Sequence, residues 1–496
     1  MRICRRDLGR LAAAGLATRA FGLSGRPKLL VLVLLGQFRS EYLDSIRSQL
    51  APGGFRKLLE KGTVYYNCMN RASTFPASSL ATVATGAWPA QHGIVADRWY
   101  DRSTSTPVRA ADQPLLATTL LAEIAANART RVAVVAASRE RAALFAAGVP
   151  ARDEPHLFWM NAEGRFTSNG QPPDWLVAFQ SPNSAEAVRD GKWQAVGAPP
   201  DAPALRVLNW NPSRPAEYMA LYRSSPFADA AVFDLAAEVR ARNGLGESNT
   251  FDVLCILPDA TEQLGYETGA RSPLMQQMAL QLDRRLDTFL GVLAKTPGES
   301  SVAFALTAAH GAPAAPEPAL RPAMAVNGEL IAQAIQNSLS DQHQAGVVKY
   351  VYPFLYLKLD RMRESEAEIV RQAAGHAALG LEGIAGYYTA GGACSVRNAW
   401  EQRFANSFHP VRSGDVMLSY RPGFIEATAA NRGISYGSLY NYDARVPLFL
   451  YGPPFRQGVY ERTVETVDLA PTLARVGGVS PPSSSTGRVL TEALAE

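Results

Sequence analysis

The sequence predicts an α/β fold: a doubly wound, mostly parallel central sheet with helices on both faces. Three observations carry this expectation. Apolar runs at 29–35, 132–136, 251–257, 302–306 and 446–451 show no polar alternation, which is how strands buried on both faces read. Stretches with helical spacing lie between several of them, notably 275–293 and 467–476, and strands alternating with helices build parallel sheets. The first run is also punctuated by Pro27 and Gly36, residues that bound an element rather than continue it.

Taken in order, 29–35 forms the first strand of the sheet, 41–50 and 55–61 have helical spacing, and 64–68 reads as a strand leading to Thr74. In such sheets ligands bind beyond the carboxyl ends of the strands. The informative residues therefore follow the apolar runs: Gly36 and Gln37, Arg139 to Arg141, Glu262 to Tyr266, and Ala309 to Gly311, with Ser435 to Gly437 ahead of the last strand. Two weakly periodic stretches, 151–243 and 313–431, read as cap insertions over that edge within one α/β domain spanning 28–496. The second contains a strand-like segment at 347–358.

A chain of 496 residues with 47% hydrophobic and 19% charged residues is a globular chain with enough length for a large core. Its net charge of +4 is small and is not gathered into basic runs, which argues against nucleic-acid binding. Residues 1–27 carry Arg5-Arg6, a weakly apolar Leu/Ala/Gly run and small residues after it. This reads as a twin-arginine export signal and implies a periplasmic or secreted protein. Cys68, Cys255 and Cys394 then remain, dispersed and without C-x-x-C spacing, so neither a disulfide framework nor a zinc knuckle is expected. The run 29–35 is too short to span a bilayer.

The stretch 71–101, RASTFPASSLATVATGAWPAQHGIVADRWYD, organises the rest. It sets the hydroxyl of Thr74 before a Phe-Pro turn and a short helical segment, and a helix N-terminus favours anions. The pattern T-x-P, T-G, H-G-I and W-Y-D resembles the nucleophile segment of the alkaline phosphatase superfamily, in particular the type I phosphodiesterase/nucleotide pyrophosphatases and the Thr-nucleophile alkaline phosphatases. LLVLVLLGQFRSEYL, LPDATEQLGYETGARSP, LTAAHGAPAAPE and ISYGSLYNYDARVPLFLYG resemble further segments of that family, in its order.

The resemblance implies phosphate-ester hydrolysis by Thr74 as nucleophile, with two zinc ions held by carboxylates and imidazoles. Carried over position by position, five of the six metal ligands are changed. Gly36 stands for Asp, Glu262 for Asp, Tyr266 for His, Ala309 for Asp and Tyr436 for His, and His310 alone is kept. A rival register would use Asp259 as the carboxylate but spoils the match at Gly265. Glu262 and His310 are thus the surviving metal candidates, and a metal site so depleted should not form. Without an activator, the hydroxyl of Thr74 is a weak nucleophile.

Arg139 and Arg141 fall at substrate-contact positions and can each grip an oxyanion. Asp97 replaces an Asn; it either closes the site with an arginine or borders an oxyanion. Ser78 and Ser79 stand as alternative nucleophiles. His92 reads as a turn residue, and Asp101 and Asp443 as loop-fixing carboxylates. The expectation is a catalytically impaired or inactive relative without a cofactor, an anion-binding or scaffold protein with a phosphate- or sulfate-bearing small molecule as its possible ligand. The competing reading is an active phosphate mono- or diester hydrolase using Thr74 with one zinc or a rearranged site.

Overall fold

The structure, a computed structural model, describes residues 27–126, 129–151, 156–317, 324–343, 345–392, 396–426 and 434–495. The export segment with Arg5-Arg6 and Cys394 lie outside the described residues. A sheet of ten strands forms the centre. Its strands are β1 (Leu29–Gln37), β2 (Thr63–Met69), β3 (Val132–Ala136), β4 (Leu157–Met160), β5 (Phe166–Ser168), β6 (Asp252–Leu257) and β7 (Val302–His310). A second sheet holds β8 (Val347–Val351), β9 (Phe354–Leu357), β10 (Ile384–Thr389) and β11 (Val416–Tyr420). The central sheet is completed by β12 (Arg445–Tyr451), β13 (Gly458–Tyr460) and β14 (Val464–Glu465).

Across the central sheet the order is β13-β2-β12-β7-β1-β6-β3-β4-β5, with β14 also on β2. Strand β1 lies in the middle, parallel to β6 and β7, and every one of its residues is buried. This is why its sequence shows no alternation. In register, Gln37 pairs with His310, so β1 and β7 end level with one another. Strand β12 runs antiparallel to both β7 and β2. Its start therefore lies where the parallel strands end, and the residues ahead of it, not those after it, reach the ligand edge.

Helices cover both faces: α1 (Pro76–Thr85), α2 (Arg139–Phe145), α3 (Pro226–Arg242), α4 (Ala260–Thr268), α5 (Pro273–Leu293), α6 (Gly328–His343), α7 (Glu364–Leu379), α8 (Ala399–Ser407) and α9 (Leu469–Gly477). The stretch 347–358 divides at Tyr352-Pro353 into the hairpin β8-β9, since proline lacks the N–H a strand would need. These strands join β11 and β10 antiparallel. With α6 and α7 they enclose a core of their own that includes Ile335, Leu339, Leu355, Val370 and Leu418.

The stretch 151–243 is not wholly a cap. Strands β4 and β5 extend the central sheet at its edge, and α3 packs against β3, β6 and α5. Periodicity hid both. Strand β4 is four residues long, and α3 buries Asp229, Val232, Phe233, Leu235, Ala236 and Val239, residues spread around the helix that leave no single apolar face to read. Among the described residues no helix is long and apolar enough to cross a membrane.

Candidate functional site

Strand β2 delivers the chain to Thr74, and α1 starts directly after Phe75 with Pro76 in its first turn, where a missing N–H costs nothing. Asn70 Nδ2 donates to Ser79 Oγ at 2.9 Å, so Ser79 fixes the approach to the helix. Ser78 is buried. Thr74 is fully buried, and its Oγ1 donates to the Ser438 carbonyl at 2.6 Å. Asp97 Oδ1 accepts from Ala77 N–H at 2.8 Å. The carboxylate of Asp97 thus takes up part of the helix N-terminus that would otherwise attract an anion. That bond to Ala77, rather than a bridge to an arginine, is its partner. Burial pushes the Asp97 carboxyl up to about 6, against the opposing pull of Ala77 N–H.

His92 braces the turn after α1. Its Nδ1 accepts from Ile94 N–H at 3.1 Å, and its Nε2 lies 3.1 Å from Thr82 Oγ1. Burial first, then Arg412, lowers it to about 3, so it is neutral. Asp101 accepts from Ser103 N–H at 2.8 Å and Ser103 Oγ at 2.7 Å and fixes its own loop.

Of the positions that the resemblance assigns to metal, the structure brings Gly36, Glu262 and His310 together, with Arg141 beside them. A Cβ on Gly36 would stand 2.7 Å from Glu262 Oε2 and 3.1 Å from Arg141 Nη2. The space an aspartate would use there is filled by an ion pair. Arg141 Nη2 donates to Glu262 Oε2, and Arg141 Nε lies 3.5 Å from Asp259 Oδ2. Glu262 also faces His310, with Nε2 3.5 Å from its Oε2. The two carboxylates weighed as rival ligands therefore flank one guanidinium. Burial alone would raise the Glu262 carboxyl, but Arg141 and His310 outweigh it and hold it down to about 2. The same carboxylates raise the Arg141 guanidinium despite its burial.

His310 Nδ1 lies 2.7 Å from the Gly311 carbonyl, and a carbonyl only accepts, so Nδ1 carries the proton. Its Nε2 has no hydrogen-bond partner. The ring stands 4.2 Å from Tyr436, which stands 4.2 Å from Tyr266. Tyr436 Oη donates to the Glu262 carbonyl at 2.9 Å, and burial raises that phenol well above its ordinary value. Ala309 is fully buried and has no donor atom. Asp443 accepts from Ser438 Oγ at 2.5 Å, while its Oδ1 has no partner; burial pushes it up to about 7.

Arg139 departs from its expected place. It is exposed on the first turn of α2 while Arg141 is buried. Residues two apart on a helix point in different directions, so one arginine enters the site and the other does not. Reasoning from motifs missed Asp229 on α3. Its Oδ1 accepts from Ala260 N–H at the start of α4 at 3.0 Å, and burial pushes it up to about 7. No local pattern marks it, because the contact joins two separate helices.

The residues present do not fit the two-zinc group that the resemblance implies. Gly36 and Ala309 offer no atom, two phenols replace imidazoles, and the Glu262 carboxylate is already engaged by Arg141. Among the described residues no three His, Cys, Asp or Glu side chains are grouped so as to hold a metal ion.

The type I phosphodiesterase / nucleotide pyrophosphatase family profile matches residues 30–436. The chain belongs to that family. It is 23% identical over 529 aligned positions to alkaline phosphatase PafA of Elizabethkingia meningoseptica, covering 95% of each chain. To alkaline phosphatase PhoD of Zymomonas mobilis it is 26% identical, covering 90% of this chain and 84% of the other. The crystal structure of wild-type PafA superposes with a TM-score of 0.81 at 21% identity, over 96% of this chain and 100% of that one. The two share the alkaline-phosphatase-like fold.

Proposed function

We propose that this family member is catalytically silent, and that it serves as an exported scaffold or binding protein. The observation that supports this most is the Arg141–Glu262 ion pair lying against Gly36. A cation and its counter-ion stand where the resemblance would put a ligand carboxylate. The rest of the ring agrees, since Tyr436 packs with a tilted ring against both Tyr266 and His310. Thr74 fits the same reading: its proton rests on a carbonyl, which cannot act as a general base.

Scaffolding is favoured over anion binding. A phosphate or sulfate arriving at α1 meets Asp97 on the first available N–H, and Arg141 is already paired. The competing reading, hydrolysis of phosphate mono- or diesters with one zinc on Glu262 and His310, draws on the place of Thr74 at the α1 N-terminus and on relatives named alkaline phosphatases. Purified protein assayed for zinc and for turnover of a chromogenic phosphate ester separates the two. Silence predicts neither bound zinc nor turnover. Zinc that co-purifies with Thr74-dependent turnover would establish the hydrolase. Export rests on Arg5-Arg6; changing both to Lys should leave the protein in the cytoplasm on fractionation, and unchanged export would refute it.

A further inference from the structure

We propose that Arg141 is the resident cation of this site: its guanidinium, rather than a metal, is the counter-ion that lets the Glu262 carboxylate stay buried. This rests on the silent reading above and names what replaces the lost charge.

The argument begins with geometry. Arg141 and Glu262 are both at least nine-tenths buried, and they form the short bridge at Gly36. A buried carboxylate needs a partner, because desolvation of an unpaired charge is far too costly. The groups facing Arg141 are Glu262 and Asp259 on or beside α4, Asp97 beside α1, and Asp229 from α3, with His310 from β7 against Glu262. Four carboxyl groups around one guanidinium cannot all ionise. Geometry gives Glu262 the direct bond to Arg141, with Asp259 at 3.5 Å from its Nε, and burial raises the carboxyls of Asp97, Asp229 and Asp259 above their ordinary value. A site built for two dications would support several carboxylates at once, and one guanidinium supports about one. His310 faces the same carboxylate with Nε2 at 3.5 Å, whereas Arg141 makes the direct hydrogen-bonded bridge to it.

A role in charge compensation differs from ordinary packing in its coupling. Removing only the cation strands Glu262, whereas removing both charges together relieves the strain. The test uses the full chain and four proteins: wild type, Arg141→Met, Glu262→Gln and the double variant, each melted with zinc chloride or with EDTA. Wild type should show the same Tm in both conditions. Arg141→Met should show a large loss, and the double variant should regain at least half of it. If Arg141→Met is insoluble, a soluble double variant supports the proposal, and an insoluble one overturns it. Losses that simply add in the double variant overturn it, as does a wild-type Tm that rises with zinc. Turnover of a phosphate ester would refute the silent reading by a separate measurement, so the two claims can fail apart.

Discussion

Two halves of the ligand edge make different use of the same scaffold. In the half built by 70–97, the short helix α1 is held by side chains bonded to backbone and to one another: Asn70 to Ser79, Thr82 to His92, His92 to Ile94, Asp97 to Ala77. None of these needs an ion. In the half built by Gly36, Glu262, Tyr266, Ala309, His310 and Tyr436, the positions that the resemblance assigns to metal hold two aliphatic residues, two phenols packed with tilted rings and one ion pair. The first half keeps the motif wording that resembles the family, whereas in the second the residues at the carried-over positions are changed, His310 apart. On the silent reading the fold does not depend on metal ligands, provided that something else neutralises the acid left behind.

That contrast can be broken from either side. The largest effect falls on the ion-pair half, where Arg141→Met should destabilise the protein by about 3–5 kcal/mol in urea unfolding, the range for stranding one member of a buried pair. Arg139→Met, two residues away and exposed, should stay within ~0.5 kcal/mol. Equal losses would erase the distinction between the two arginines.

Next comes the hydrogen-bonded half. His92→Ala leaves Thr82 and the Ile94 N–H without their buried partner and should cost about 1–3 kcal/mol, with no response to added zinc. A zinc-dependent loss would mean that His92 is a ligand after all.

A third expectation concerns pH. Asp443 and Asp229 have folded-state values pushed to about 7, and Asp97 to about 6, from an ordinary value of 3.8. Between the ordinary and the raised values the folded state binds more protons than the unfolded one, so stability is greatest at the acidic end and falls as pH rises through 6 to 7. Urea midpoints measured between pH 5 and pH 8 should decline, and Asp443→Asn should flatten the slope. Among substitutions at the site itself the smallest effect is Thr74→Ala, which removes one bond to Ser438 and should cost about 0.5–1.5 kcal/mol while leaving phosphate-ester turnover at background.

Much of this was legible before any coordinates. Strands β1, β3, β6 and β7 announce themselves because burial on both faces removes alternation, and the family resemblance directed attention to Thr74, Gly36, Glu262 and His310. The antiparallel course of β12 was not legible, since an apolar run carries no direction. Strands β4 and β5 were too short to signal, and Asp229 reaches the site from a helix buried all round. Nor could spacing separate Arg139 from Arg141. Which of two nearby side chains turns inward depends on how α2 seats against the sheet.

The most direct test of the central claim is a crystal structure of the protein grown in excess zinc, with anomalous scattering collected at the zinc edge. The account predicts guanidinium density between Glu262 and Asp259 and no anomalous peak near Glu262 or His310. A strong peak bonded to either residue, with Arg141 swung away, would contradict it.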